Sequence, residues 1–261
     1  MAVRLGQECG IDRIVKTAHD MGIKSRLDPT PALALGSSDV TLEELVNAYC
    51  TPVNNGVHHD PVLVTRILDR DGNEIYSAPT EDHQVLSQRS AFLVQQLLQG
   101  GMSGTSSRLM GFVGQHAKDT DFGGKTGTSN NHSDAWFIGT TPRLVVGAWV
   151  GGEYRCIHFR TGELGQGNRT ALPICGYFLQ SVLDDPQFKQ YHAKFETPAD
   201  ISMADYSCGG YFKALADSDS IGVDSLVVEG ELMQPTGRRD SLGRENADDA
   251  LGGAAVPAVG Q

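Results

Sequence analysis

Apolar residues recur at helical spacing through the first part of the chain. Ile11, Ile14, Val15, Ala18 and Met21 mark one face of a helix over residues 11–21, and Gly22 supplies its stop. Before it, Ala2-Val3-Arg4-Leu5 reads as a helix already under way, uncapped, and broken at Gly10. A third helix begins at Thr41, where Thr41 and Glu44 stand at capping-box spacing ahead of Leu45, Val46, Ala48 and Tyr49. The pattern then changes period. Residues 62–68 are strand-like, Asp71-Gly72 or Gly72-Asn73 makes a turn, and Glu74-Ile75-Tyr76 returns as the second arm of a hairpin. Ser87 is placed to cap a helix carrying Phe92, Leu93, Val94, Leu97 and Leu98, which ends at Gly100-Gly101.

A Gly/Ser-rich loop from Gly101 to Ser107 leads into the most strand-rich stretch. Residues 122–128, 135–139 and 144–150 predict three strands, separated by polar Ser129-Asn130-Asn131-His132-Ser133 and by the entry Thr141-Pro142. Links this short imply an antiparallel meander. A final helix is expected from about Pro173, with Ile174, Phe178 and Val182 spaced by four. No internal repeat is present.

Bulk properties narrow the function classes. The 261 residues carry a formal charge of -11 and no cluster of Lys and Arg, which argues against a nucleic-acid partner. From Asp217 onward nine acidic residues face three arginines, so more than half of the negative charge lies there. Rich in Asp, Ser, Gly and Ala, residues 217–261 are expected to form a disordered acidic tail. Five cysteines, an odd number with no close pair, suggest neither a zinc framework nor a disulfide scaffold. Cys50 and Cys175 fall within helical apolar patterns and read as small buried thiols. The eight histidines are scattered, and His58-His59 reads as a solvated loop. No signal peptide and no run of about 18 apolar residues is present.

The informative stretch is Gly123-Gly124-Lys125-Thr126-Gly127-Thr128. A phosphate-binding loop would need Gly where Asp119 stands, and a helix where a turn and a strand follow. The better reading is the Lys-Thr-Gly strand of serine acyl-transferases that bind β-lactams. There a Lys offers a cation to a carboxylate, a Gly lets substrate backbone lie against the strand, and the next Thr offers a hydroxyl and a backbone N–H.

The surroundings strengthen this. Gly124-Lys125-Thr126-Gly127-Thr128, then Ser133-Asp134-Ala135-Trp136-Phe137-Ile138-Gly139 and Thr141-Pro142, resembles class A penicillin-binding proteins. So do Leu144-Val145-Val146-Gly147-Ala148-Trp149-Val150-Gly151-Gly152, the upstream Leu33-Ala34-Leu35-Gly36-Ser37-Ser38-Asp39-Val40-Thr41 with Ala48-Tyr49, and the downstream Ala171-Leu172-Pro173-Ile174. The resemblance implies an α+β fold of the penicillin-binding transpeptidase and β-lactamase kind, an antiparallel sheet with packed helices. Residues 1–192 would be the C-terminal part of the transpeptidase domain and residues 193–216 a family-like extension. It further implies Lys125 and Thr128 as catalytic residues, Thr126, Gly127 and Thr128 as the substrate-binding strand, and no metal or organic cofactor.

One departure matters. No serine in the chain has Lys three positions later, so the family's Ser-x-x-Lys nucleophile is missing, and Ser129-Asn130-Asn131 matches Ser-x-Asn only in a hairpin turn after the strand. By the resemblance Met1 is an internal position. Both missing motifs, a glycosyltransferase domain and an inner-membrane anchor are expected upstream, with the domain periplasmic. The intact protein would be a DD-transpeptidase acting on peptidoglycan stem peptides, acylated by β-lactams and associated with cell-wall synthesis proteins; this chain alone would be inactive. A non-catalytic peptide-binding or scaffolding module, and a carboxypeptidase or β-lactamase-type hydrolase, stand as alternatives. An incomplete domain would also expose a sheet edge and apolar surface, which predicts poor solubility.

Other candidates have plainer readings. Ser103 lacks the second Gly of a nucleophile elbow and fits a loop beside the cleft. Asp134 and Trp136 serve either the site or the hairpin, and Glu43 and Glu44 suit a helix start.

Overall fold

The computed structural model describes residues 1–79, 81–199 and 201, and the tail expected over residues 217–261 lies outside them. Helix α1 (Ala2–Cys9) ends at Gly10, and α2 (Ile11–Asp20) follows at once. The stop after α2 is a Schellman motif. Gly22, at φ 97°, donates its N–H to His19 O at 2.9 Å, and Ile23 donates to Ala18 O at 3.1 Å. Helix α3 (Leu42–Val53) starts with the capping box read from the sequence, Thr41 and Glu44 bonding reciprocally.

Strand β1 (Val57–His58) pairs with β4 (His83–Gln84). This corrects the reading of His58-His59 as a solvated loop. His58 is buried with Nδ1 3.5 Å from Thr51 Oγ1, while His59 is half-exposed and pairs with Asp82 at 2.8 Å. Between them lies the hairpin of β2 (Arg66–Leu68) and β3 (Glu74–Ser77), antiparallel as expected. Its first arm is shorter than residues 62–68: only Arg66, Ile67 and Leu68 pair with β3, with a register shift between the last two. Asp69 folds the turn, its Oδ1 accepting from the N–H of Asp71 and of Asn73.

Helix α4 (Gln88–Gly100) begins at Ser87, whose hydroxyl accepts from Ser90 N–H. The buried Gln95 donates to Pro52 O at 2.6 Å, satisfying a carbonyl left open at the end of α3. After short 3₁₀ turns and α5 (Met110–Val113), the chain enters the main sheet: β5 (Gly123–Thr128), β6 (Asp134–Thr140) and β7 (Val145–Gly151). The three pair in sequence order and antiparallel, the meander that the short links predict.

Alternation along the strands decides what packs where. Phe137, Val146 and Ala148 face α5 and α7 (Ala171–Asp184), in a core with Leu109, Val113, Leu172, Cys175, Leu179 and Leu183. The opposite face carries Ile138, Gly147 and Gly123. A Cβ on Gly147 would fall 2.4 Å from Val46 of α3, and one on Gly123 would fall 3.0 Å from Leu98 of α4. Bare positions thus let two helices approach the second face closely. The short helix α6 (Gly162–Gly165) precedes α7.

Helix α7 starts two residues before Pro173, which sits in the first turn where a missing N–H costs no hydrogen bond. Its buried stripe includes Leu172, Cys175, Leu179 and Leu183, whereas Ile174, Tyr177 and Phe178 are exposed. Cys175 is buried as expected, its thiol pushed up to about 12 by burial, but Cys50 is exposed. Its position in α3 turns it away from the core that takes Ala48 and Thr51. Among the described residues no helix is long and apolar enough to cross a membrane.

Candidate active-site strand

Lys125, Thr126, Gly127 and Thr128 lie on β5, and β5 is an edge strand: among the described residues β6 is its only neighbour. Alternate backbone N–H and C=O groups of such a strand point outward, unpaired by the sheet. Lys125 is exposed and its ammonium donates to the carbonyl of Thr126. Gly127 pairs opposite Trp136, and a Cβ there would sit 3.0 Å from Trp136 Cβ. The strand is therefore flat beside the lysine, with no side chain between it and whatever lies along the edge.

Two loops fix the strand's flanks, the first expected beside the cleft and the second, around Gly167, without a sequence signal. The Gly/Ser-rich loop after α4 lies against it as expected for a loop beside the cleft: Thr126 Oγ1 donates to Thr105 Oγ1 at 3.0 Å. A Cβ on Gly101 would meet Gly124 O at 2.5 Å, so only glycine lets the loop come this close. Ser103 is exposed in that loop. From the other side, Gly167 N–H donates to Thr128 Oγ1 at 3.1 Å. A hydroxyl that accepts this bond keeps its own hydrogen for donation, the polarity a carboxylate needs. Thr105 and Gly167 lie 21 and 39 residues from their partners, with no local pattern to link them.

Asp134 resolves to hairpin support. Its Oδ2 accepts from Ser133 Oγ at 2.7 Å, its Oδ1 from Trp149 Nε1 at 3.1 Å, and its N–H donates to Ser129 Oγ at 2.8 Å. Burial works against its charge, yet the Ser133, Trp149 and Ser129 hydrogen bonds and the nearby Arg155 hold the carboxyl below its usual range. Ser129 and Asn131 serve the same turn, Asn131 Oδ1 lying 2.9 Å from Ser133 Oγ and sharing the hydroxyl hydrogen that Asp134 accepts. Trp136 leans toward Trp149, ring centroids 6.3 Å apart. Glu44 likewise belongs to the start of α3.

Comparison with known proteins accords with this strand. The profile of the penicillin binding protein transpeptidase domain matches residues 2–150. The chain is 33% identical over 154 residues to penicillin-binding protein 2D of Bacillus subtilis, covering 58% of this chain and 22% of that protein. It is 28% identical over 211 residues to penicillin-binding protein 1A of Rickettsia felis, covering 71% and 25%. The chain thus spans about a quarter of the length of the curated relatives it matches. Among solved structures, penicillin-binding protein 1A from Haemophilus influenzae superposes with a TM-score of 0.67 at 26% identity, over 77% of this chain and 34% of that one. PonA1 from Mycobacterium tuberculosis, in complex with penicillin V, shares the fold with a TM-score of 0.62 at 22% identity, over 76% and 56%. With the profile matching more than half of the residues, through the Lys-Thr-Gly strand and the two strands after it, the chain belongs to the penicillin-binding protein transpeptidase family.

Proposed function

We propose that this chain is the C-terminal part of a DD-transpeptidase that cross-links peptidoglycan stem peptides, and that it is inactive without a serine nucleophile from upstream sequence. The carrying observation is the free edge of β5, where exposed Lys125, side-chain-free Gly127 and a Thr128 hydroxyl held as acceptor by Gly167 stand in a row. In this reading a serine attacks the penultimate carbonyl of a stem ending in D-Ala-D-Ala. The C–N bond breaks, D-Ala leaves with the proton, and the acyl group passes to an amine of a second stem. Lys125 supplies positive charge to the substrate carboxylate and to the proton network at the serine. Thr128 donates its hydroxyl to the carboxylate and its backbone N–H to the developing oxyanion. Thr126 and Gly127 let the peptide lie along the edge. β-Lactams acylate the same serine, and the intact protein is anchored in the inner membrane with this domain in the periplasm.

Covalent labelling with a fluorescent penicillin tests the reading. The chain alone should not label. Joined to an upstream segment carrying Ser-x-x-Lys and Ser-x-Asn it should label in a heat-stable way, and Lys125→Ala should slow that labelling by about 10²-fold or more. Labelling of the isolated chain, or indifference to Lys125→Ala, would overturn it. A non-catalytic peptide-binding module is the alternative reading. That reading predicts reversible binding of stem peptide and no labelling in either form.

A further inference from the structure

Away from the strand edge, the fold gathers two histidines and two carboxylates that are scattered in the sequence. His116 and Asp119 precede β5, Asp184 ends α7, and His192 follows the last 3₁₀ turn. One ligand atom from each of His116, Asp119 and His192 lies within 4.8 Å of the other two. The two imidazoles are largely buried, 15% and 19% exposed. They meet edge to face, centroids 5.3 Å apart.

The hydrogen bonds around His192 fix its tautomer. Its Nε2 lies 3.1 Å from the carbonyl of Leu183, which can only accept, so Nε2 carries the hydrogen. In the neutral ring Nδ1 is then a bare lone pair, and it faces Asp119 Oδ2 at 3.1 Å. Two acceptors at that distance repel unless something electropositive lies between them. Thr120 Oγ1 lies 3.3 Å from Nδ1 and 3.4 Å from Asp119 Oδ1, and its single hydrogen can answer only one of the two. A second carboxylate, Asp184, sits 2.8 Å from Nε2 of His116, with Gln115 Nε2 on the same oxygen at 2.7 Å. A ring N–H donated to a backbone carbonyl, which leaves the opposite nitrogen as a lone pair, is the arrangement that accompanies metal-bound imidazole.

We propose that His116, Asp119 and His192 form a binding site for a divalent transition-metal ion of the zinc class. Two neutral imidazoles and a carboxylate suit such an ion, and ligand atoms around zinc stand about 3.3 Å apart, within reach of small side-chain rotations. The site is structural. It joins two segments, residues 116–119 before β5 and His192 after the last 3₁₀ turn, next to where Asp121 already holds the C-terminal extension: Asp121 N–H donates to Ala193 O at 3.1 Å, and its carboxylate accepts from Phe195 N–H and Lys194 Nζ, both at 2.9 Å. It does not depend on the transpeptidase reading.

The test uses the full chain, stripped with chelator and kept reduced. Titration with cobalt(II) should give tetrahedral ligand-field bands without the thiolate charge-transfer band that binding at Cys9, Cys50 or Cys156 would add. Zinc should displace the cobalt and raise Tm. Asp119→Asn, at an exposed carboxylate, should weaken zinc binding by about tenfold or more while leaving the metal-free melt unchanged, and His116→Gln should weaken zinc binding as much. No metal-dependent rise in Tm, or a rise that survives both substitutions, overturns the proposal and leaves a protonated His192–Asp119 ion pair in its place.

Discussion

Removing one carboxylate at the start of α3 gives a quantitative check on how the N-terminal segments are tied together. Glu44 is more than half of a capping box. Its Oε1 accepts from the backbone N–H of Lys24 at 2.9 Å and of Ser25 at 2.8 Å, and its Oε2 accepts from Ser25 Oγ at 2.6 Å and Thr41 N–H at 3.1 Å. The Ser25 hydroxyl above all, opposed by partial burial and helped by the Thr41 and Lys24 backbone donors, lowers the pKa from 4.5 to about 2. That preference for the charged form corresponds to roughly 3 kcal/mol. The carboxylate meets solvent on one side, so screening leaves about 1.5 kcal/mol as folding stability. Glu44→Gln keeps the shape but cannot accept at both ends, and should lose about that amount at pH 7. Glu44→Ala should lose about 2–3 kcal/mol, since the capping box goes too. The sign with pH follows from a folded pKa below the unfolded one: the contribution is whole above about 4.5 and fades as pH falls toward 2. Urea unfolding of wild type and Glu44→Gln from pH 7 to pH 3 reads this directly. A difference that stays constant across the range, or is absent at pH 7, would refute the reasoning.

Gly167→Ala should lower stability by about 1–3 kcal/mol in the same assay and free the Thr128 hydroxyl. The new Cβ would fall 2.2 Å from Trp136 O and 2.6 Å from Gly127 O, both main-chain atoms of the sheet. An unchanged midpoint would show that the loop yields at no cost. His58 gives a separate pH signature. Burial holds its pKa below 6.5, against a smaller opposing pull from Asp60, so protonation is easier unfolded than folded. Stability should fall as pH drops below about 6.5, and His58→Gln should remove that part of the slope; equal slopes in the two proteins would sink the argument.

Local signals were legible in the sequence, and contacts across it were not. The Thr41/Glu44 box, the Ser87 start of α4 and the meander follow from side-chain spacing alone, and so does the placing of Lys125, Thr126, Gly127 and Thr128 together on one strand. The burial of His58 leaves no sequence signal, because a His-His pair after Asn55-Gly56 has the pattern of a loop. His58 is buried because Gly22 leaves room, its absent Cβ lying only 2.5 Å from His58 Cε1. Cys50 and Cys175 sit in similar apolar patterns, yet only Cys175 turns toward the sheet. The positioning bonds from Thr105 and Gly167, and the meeting of His116 with His192, depend on how distant segments return to β5. A single sequence carries no periodic trace of them.

The order of strands in the sheet also has a kinetic meaning. β5, β6 and β7 are joined through residues 129–133 and 141–144, so every pairing in the sheet is made between near neighbours along the chain. Such low contact order favours early formation, with hairpins closing on a scale of about 1–10 μs. The register of the strand that carries Lys125 is therefore set by the residues that come after it. Whatever pairs with the outer edge meets a strand whose register is already in place.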